Sequence, residues 1–259
     1  MIKLYNQNIW GNTKMPIGDR NRMILSLVSD FAPDFCAFQE CNPRTSRVGN
    51  DPMQELLSET FAEAAPDKWQ ENYTPVFYRK DTWNLIDSGF LPYEGENDGL
   101  SKSVTWGVFE RKADGYRIGM ASTHFWYKHR GPEDTEQRIN NARQLKEVCD
   151  AAIAKYGVPF VVSGDFNNGS GRDDEPYYFM LENGFKDVRG SAEITTDLDT
   201  CHTAPVPDEN GHYTGEEMPR HTIDYIFTYG EHINCRRFDV LTDPVSLSSS
   251  DHCPLIAEF

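Results

Sequence analysis

At 259 residues the chain has room for one large domain or two small ones. A 38% hydrophobic share with 15 Phe, 12 Tyr and 5 Trp is ample for a packed core and excludes a disordered, low-complexity protein. The formal net charge of −16 argues against a broad, sequence-independent grip on duplex DNA or RNA, which needs Lys and Arg to displace counterions, although a local basic mouth can oppose the net charge. No charged-then-apolar leader opens the chain and no apolar run is long enough to span a bilayer, so a soluble cytoplasmic protein with no membrane partner is expected.

Taken in order, the pattern alternates between strand and helix. Ile2–Trp10 and Asp34–Glu40 read as strands, separated by a helix near Asn21–Asp30 with apolar Met23, Ile24, Leu27 and Val28. Pro52–Phe61 reads as a second, shorter helix. Strands then follow at Pro75–Lys80, Trp83–Tyr93, Ser103–Lys112 and Tyr116–Phe125, the last two joined by an Asp114-Gly115 turn. Glu133–Ala154 is the longest helix, with Ile139, Ala142, Leu145, Val148, Ala152 and Ile153 on one face. Pro159–Phe166 is a continuous apolar strand, and a short helix near Tyr177–Leu181 precedes strands at Thr222–Tyr229, Cys235–Leu241 and Pro254–Phe259. Asn168–Pro176 and Thr195–Pro219 read as long loops. With no repeat, linker or seam, residues 1–259 are expected to form a single α/β domain in which two packed sheets bury both apolar sets. Six cysteines, at 36, 41, 149, 201, 235 and 253, lack CxxC spacing and read as reduced thiols, several of them in strands.

Polar residues recur where these strands end. Asn8 sits late in the first, as a cation ligand or phosphate-oxygen donor, or as a hydrogen-bonded turn residue. Glu40 ends the run from Phe35, where a carboxylate is costly to bury unless it is paired or metal-bound; the alternative is an exposed ion pair with a neighbour such as Arg44. His124 closes Ile118–Thr123 and has the chemistry to protonate a leaving oxygen, or is structural. In Gly164-Asp165-Phe166-Asn167 a buried strand reaches a tight turn and projects two polar side chains, one suited to orienting water and one to holding a phosphate oxygen; a capped turn without chemistry is the other reading. Asp224, among β-formers, needs a partner, and His252 in Ser-Asp-His-Cys-Pro is the obvious one; Asp251 points to the opposite side if that segment is extended. A pocket of Asp, Glu, Asn and His suits a hard divalent cation and a phosphate ester.

This ordered set, from Asn8 to His252, resembles the endonuclease/exonuclease/phosphatase superfamily, most sharply in Gly-Asp-Phe-Asn and Ser-Asp-His-Cys-Pro. The resemblance implies a four-layer α-β-β-α sandwich of two packed, mostly antiparallel (mixed) sheets. It implies Glu40 as principal ligand of Mg2+ (or Mn2+), with Asn8 and Asp251 close to the metal. It also implies Asp165 and Asn167 as the water- and phosphate-handling pair, His252–Asp224 as a dyad, and His124 as a second histidine. Whether Asp165 or His252 takes the proton is left open. The expected function is in-line hydrolysis of a small or soluble phosphate ester, diester or monoester. Alternatives are a nuclease on short or single-stranded nucleic acid and a non-catalytic scaffold. One departure stands out: Thr123-His124 continues into Phe125-Trp126-Tyr127-Lys128-His129-Arg130, where a related sub-branch has Leu-Asp-His. The aromatic trio is read as a substrate wall with Lys128 and Arg130 attracting phosphate, or as a surface loop with scattered charges. Arg138 and Arg143 are read as structural. His202, His212 and His221 are read as solvated loop residues or supplements to the pocket, and His129 and His232 carry no signal.

Overall fold

The computed structural model describes residues 1–11, 17–42, 46–48, 50–68, 70–168, 175–210, 213–214 and 218–259. Arg44 and His212 lie outside them. Alternation of side chains places apolar residues on both faces of each sheet. In β1 (Lys3–Asn8) Leu4 joins the layer between the two sheets, and Tyr5 packs with Ile24, Leu27 and Val28 of α1 (Ile17–Phe31). β2 (Phe35–Gln39) runs parallel to β1 and repeats the pattern, Phe35 and Ala37 facing in, Cys36 and Phe38 facing the helix.

A small hairpin of β3 (Arg47–Val48) and β4 (Asp51–Pro52) leads into α2 (Met53–Leu57), then β5 (Phe61–Glu63) and β6 (Val76–Arg79). The helix expected over Pro52–Phe61 is therefore shorter. It ends at Ser58, whose N–H returns to the Glu55 carbonyl, and Phe61 starts an edge strand opposite Arg79 with its ring in the α1 layer.

β7 (Trp83–Pro92), β8 (Ser103–Arg111) and β9 (Arg117–His124) form an antiparallel meander, the last turn closed by Gly115 N–H on the Arg111 carbonyl. α3 (Pro132–Tyr156) crosses to β10 (Phe160–Asp165), parallel to β9. After α4 (Glu175–Glu182) come β11 (Lys186–Asp187) and β12 (Ile194–Thr195), then a hairpin of β13 (Val206–Pro207) and β14 (Tyr213–Thr214) inside the expected long loop. β15 (Asp224–Tyr229), β16 (Arg237–Val240), α5 (Pro244–Ser249) and β17 (Leu255–Glu258) complete the chain. α5 has a clear start signal that the sequence reading passed over: Asp243 caps the N–H groups of Val245 and Ser246, and Pro244 occupies the first helical position.

The sheets are ordered β12-β16-β17-β1-β2-β6-β5 and β11-β15-β10-β9-β8-β7, both mixed and mostly antiparallel. α1 and α2 cover the outer face of the first, and α3 and α4 that of the second, giving the expected four layers. Of the six free cysteines only Cys36 lies in one of these strands; Cys149, for example, is on the buried face of α3. No described helix is long and apolar enough to cross a membrane.

The layer between the sheets changes character along its length, and this positions the site. Inward residues run Leu4, Asn6, Asn8 in β1; Ala37, Gln39 in β2; Met120, Ser122, His124 in β9; and Val161, Ser163, Asp165 in β10. Apolar contacts give way to a buried polar belt in which Gln39 donates to Asn6 Oδ1 and Ser122 Oγ, both at 3.0 Å. Beyond the belt stand the chemically competent side chains.

Candidate active site

Strand register aligns this row. Asp165 is opposite His124 in parallel β9 and opposite Asp224 in antiparallel β15, while His124 is opposite Ser103 in β8. Asn8 pairs with Gln39, so Glu40 follows directly beside it. Two backbone features sharpen the ends. A Cβ on Gly164 would meet the Thr123 carbonyl oxygen at 2.0 Å, so only glycine lets β10 approach β9 this closely. Glu40 (φ 56°) and Asn167 (φ 46°) adopt left-handed backbone, a conformation that costs non-glycine residues about 1–3 kcal/mol and clusters at functional sites.

Asp165 is the hub. Its Oδ2 accepts from Asn8 Nδ2 at 2.9 Å, lies 3.3 Å from His124 Nε2 and 3.9 Å from His252 Nε2, and its Oδ1 accepts the Asn167 N–H at 2.9 Å. Burial raises its pKa, but His124, His252 and Lys102 together outweigh burial and hold the carboxyl well below the usual range. Asn8 also donates to Glu40 Oε1 at 3.3 Å, and its own oxygen accepts the Trp10 N–H. The Asn167 amide donates to the Phe125 carbonyl at 3.0 Å.

His252 Nδ1 lies 2.9 Å from Asp224 Oδ2, the expected pairing. Burial raises the Asp224 pKa, opposed by His252. Burial pushes the imidazole down, yet Asp224 and Asp251 carry it well above the ordinary histidine value. Asp251 does not turn to the far side: its Oδ1 is 3.8 Å from His252 Nε2. Burial first, then the charge of Glu40, push its carboxyl up to about 6 against the pull of His252. The terminal motif is pinned at both flanks, by Ser250 Oγ on the Asn8 carbonyl at 2.7 Å and by Cys253 N–H on the Thr200 carbonyl at 2.7 Å.

Two residues escaped the sequence reading. Buried Thr200 donates to Asp224 Oδ2 at 2.7 Å and accepts the N–H groups of Ile223 and Asp224, so it locks the dyad carboxylate. Lys102 is 4% exposed, with Nζ 2.8 Å from His124 Nε2. Burial lowers its pKa, opposed by Glu40, Asp165 and Asp98. Neither residue sits in a motif; only the Ser103–His124 register brings Lys102 to the site.

The segment after His124 divides differently from the expected aromatic wall. Phe125 and Trp126 are core residues, and Tyr127 alone of the three is exposed, at 43%. The first half of α3 holds the segment: Asp134 accepts Trp126 Nε1 at 2.7 Å and three Arg130 N–H groups, Asn141 accepts the Trp126 N–H, and Arg138 donates to the Lys128 carbonyl. Arg130 is thus tied to Asp134 and Glu96 and does not face a phosphate site, whereas Arg138 is structural as expected. Of the two readings of His202, the solvated one does not hold, since it is buried with its N–H on the Asp251 carbonyl; His221 is exposed.

A pocket of about 530 Å³ opens over this row, lined by Glu40, Lys102, His124, Asp165, Asn167 and His252 and by Gly11, Tyr73, Asp98, Ser101 and Tyr127, with exposed Asp98 and Tyr127 marking its mouth. Its size is that of a small-ligand site.

The sequence profile of the Endonuclease/Exonuclease/phosphatase family matches residues 6–252, and the chain belongs to that family. No curated protein matches its sequence. Among solved structures it is similar to a mannosyl-6-phosphatase of Bacteroides thetaiotaomicron (18% identity, TM-score 0.77, covering 100% of this chain and 99% of that one). It is also similar to the human Nocturnin catalytic domain with bound sulfate (20%, TM-score 0.69, 99% and 92%) and to zebrafish (D. rerio) TDP2 complexed with a single-strand DNA product (15%, TM-score 0.66, 99% and 97%). At these identities the likeness is one of fold.

Proposed function

We propose that the protein is a divalent-cation-dependent phosphoesterase acting on a small phosphate ester, with residues 1–259 as one catalytic unit. The observation that carries this reading is the convergence on Asp165 of Asn8, His124, His252 and Asn167 in a pocket that also holds Glu40 and Lys102. Membership of the family supports the reaction class.

The donor set fits a hard cation such as Mg2+ or Mn2+. Burial chiefly raises the Asp251 carboxyl and the charge of Glu40 adds to it, a repulsion a bound cation would relieve. Asp165, Asp224 and His252 also offer ligand atoms within 4.8 Å of one another, but the Asp224 carboxylate is taken up by His252 Nδ1 and Thr200, so the cation is assigned to Glu40 and Asp251, as the family resemblance implies. When bound, it would polarise the phosphoryl group and offset developing negative charge. Asn8, whose NH2 donates to Glu40 and Asp165, acts as a donor to oxygen rather than as a cation ligand.

Asp165, held ionised, orients the attacking water and accepts its proton. His252, aligned by Asp224 and Thr200, presents Nε2 to the same space and, charged, stabilises the phosphoryl oxygens, with Asn167 and Lys102 beside it. His124 protonates the departing alcohol oxygen. Water adds to phosphorus, the ester P–O bond breaks, and the alcohol leaves with that proton. One Lys or Arg among the described lining residues, in a chain of net charge −16, ranks a nuclease on short or single-stranded nucleic acid below a small-substrate enzyme.

The test is hydrolysis of p-nitrophenyl phosphate and its bis-ester with Mg2+ or Mn2+, with EDTA and Asp165→Asn as controls. Turnover abolished by EDTA, with kcat reduced about 10²–10⁴-fold in the variant, supports the reading. Metal-independent turnover, or an active variant, contradicts it.

A further inference from the structure

The mouth of the pocket differs in chemistry from its depth. Tyr73, Asp98, Ser101 and the Tyr127 ring belong to its lining, with Asp98 and Tyr127 exposed, and Lys102 is the one Lys or Arg among the described lining residues. The loop carrying Asp98 and Ser101 is built rather than loose. Asn97 clips it shut, its Nδ2 donating to the carbonyls of Tyr93 (3.1 Å) and Lys102 (2.8 Å) and its Oδ1 accepting the Lys102 N–H (3.0 Å). The Glu94 carbonyl accepts from Gln137 and Asn140 of α3, and Glu96 takes Arg130 from the Tyr127 segment. The Tyr127 ring packs tilted against Trp126, centroids 5.2 Å apart, with Lys102 and Lys128 Nζ 5.1 and 5.6 Å from its centroid. An exposed carboxylate on a clipped loop, two hydroxyl-bearing side chains and a tyrosine ring thus line the outer part of the pocket.

Resting on the phosphoesterase reading above, we infer that this mouth is a specificity subsite for an uncharged, hydroxyl-rich alcohol, so that the substrate is a sugar or polyol phosphate monoester. A carboxylate is an acceptor only, suited to alcohol O–H donors. The aromatic face takes the C–H edges of a saturated ring. The same carboxylate repels a second phosphate on the leaving group and a neighbouring phosphate of a nucleic-acid strand, and among the described lining residues Lys102 is the one lysine or arginine.

The experiment compares kcat/KM, with Mg2+, for the gluco, manno and galacto hexose 6-phosphates, fructose 1,6-bisphosphate, AMP and p-nitrophenyl phosphate, in the wild type, Asp98→Ala and Asp98→Asn. The best hexose 6-phosphate is expected to exceed the bisphosphate and AMP by about tenfold or more. Asp98→Ala lowers the ratio of that hexose phosphate to p-nitrophenyl phosphate by about tenfold, through lost hydrogen bonds to a charged acceptor, and Asp98→Asn narrows the discrimination against the bisphosphate. Bisphosphate or AMP turned over as well as every hexose 6-phosphate, or a ratio unmoved in Asp98→Ala, overturns the subsite while leaving the phosphoesterase standing. Wild-type protein without metal-dependent turnover of p-nitrophenyl phosphate overturns the underlying reading, and the subsite with it.

Discussion

At the scale of single residues, His124 and Lys102 divide a task that the sequence assigned to one histidine. Lys102 Nζ lies 2.8 Å from the imidazole, so in the proposed reading a buried lysine shares the space assigned to the departing oxygen. A proton donor matters in proportion to the basicity of the leaving group. His124→Ala is therefore expected to slow an alkyl phosphate at least about tenfold more than p-nitrophenyl phosphate, read as kcat for the two esters side by side. Equal losses for both would remove His124 from the acid role. The other site residues were legible because a carboxylate, amide or imidazole at the end of an apolar strand needs a reason to be there. Lys102 was not, since a lysine in a Gly-, Asn- and Asp-rich loop reads as solvated until register places it beside His124. Thr200 was hidden likewise, in a loop between short strands.

Elements explain why Tyr127 is available and Trp126 is not. The Trp126 indole is drawn inward by Asp134 in the first turn of α3, where Arg130 holds the same carboxyl well below the usual carboxylate range. Periodicity exposed the apolar face of α3, from Ala142 to Ala152, but not what its polar first half holds, because the partners of Asp134, Arg138 and Asn141 are visible only once the Phe125–Arg130 segment is seen to lie against them. Asp134→Ala frees that segment. The expected outcome is a lower Tm together with a KM raised several-fold for any ester that contacts Tyr127. A lowered Tm with unchanged KM would show that the segment shapes stability alone. The alternation of strands and helices carried the fold, since strands buried on both faces demand two sheets with helices outside. Ends of elements were less legible, as α2 and β5 show, where a short apolar run fits either period.

For the whole molecule, the polar belt between the sheets is the structural debt of building a site at the end of a hydrophobic layer. It continues to Glu63, which accepts from Asn72 Nδ2 at 3.2 Å. Burial pushes the Glu63 carboxyl up to about 8, against that hydrogen bond. Because the folded pKa exceeds the unfolded one, the folded state holds the extra proton. The stability this contributes is complete below about pH 4.5 and is lost as pH rises to about 8. Glu63→Gln is accordingly expected to match the wild type in Tm near pH 4.5 and to exceed it by pH 8.5. Parallel Tm curves across that range would contradict the burial assigned to this side chain.

The claim on which the rest depends is that Glu40 and Asp251 hold a cation for phosphoester hydrolysis at the Asp165 hub. The most direct measurement is the initial rate of p-nitrophenyl phosphate hydrolysis against Mg2+ concentration for the wild type, Glu40→Gln and Asp251→Asn. The account predicts saturable activation in the wild type and a half-activating concentration raised at least about tenfold in Glu40→Gln, with a smaller increase in Asp251→Asn. Activity independent of Mg2+ and indifferent to EDTA, or identical half-activation in all three proteins, would contradict it.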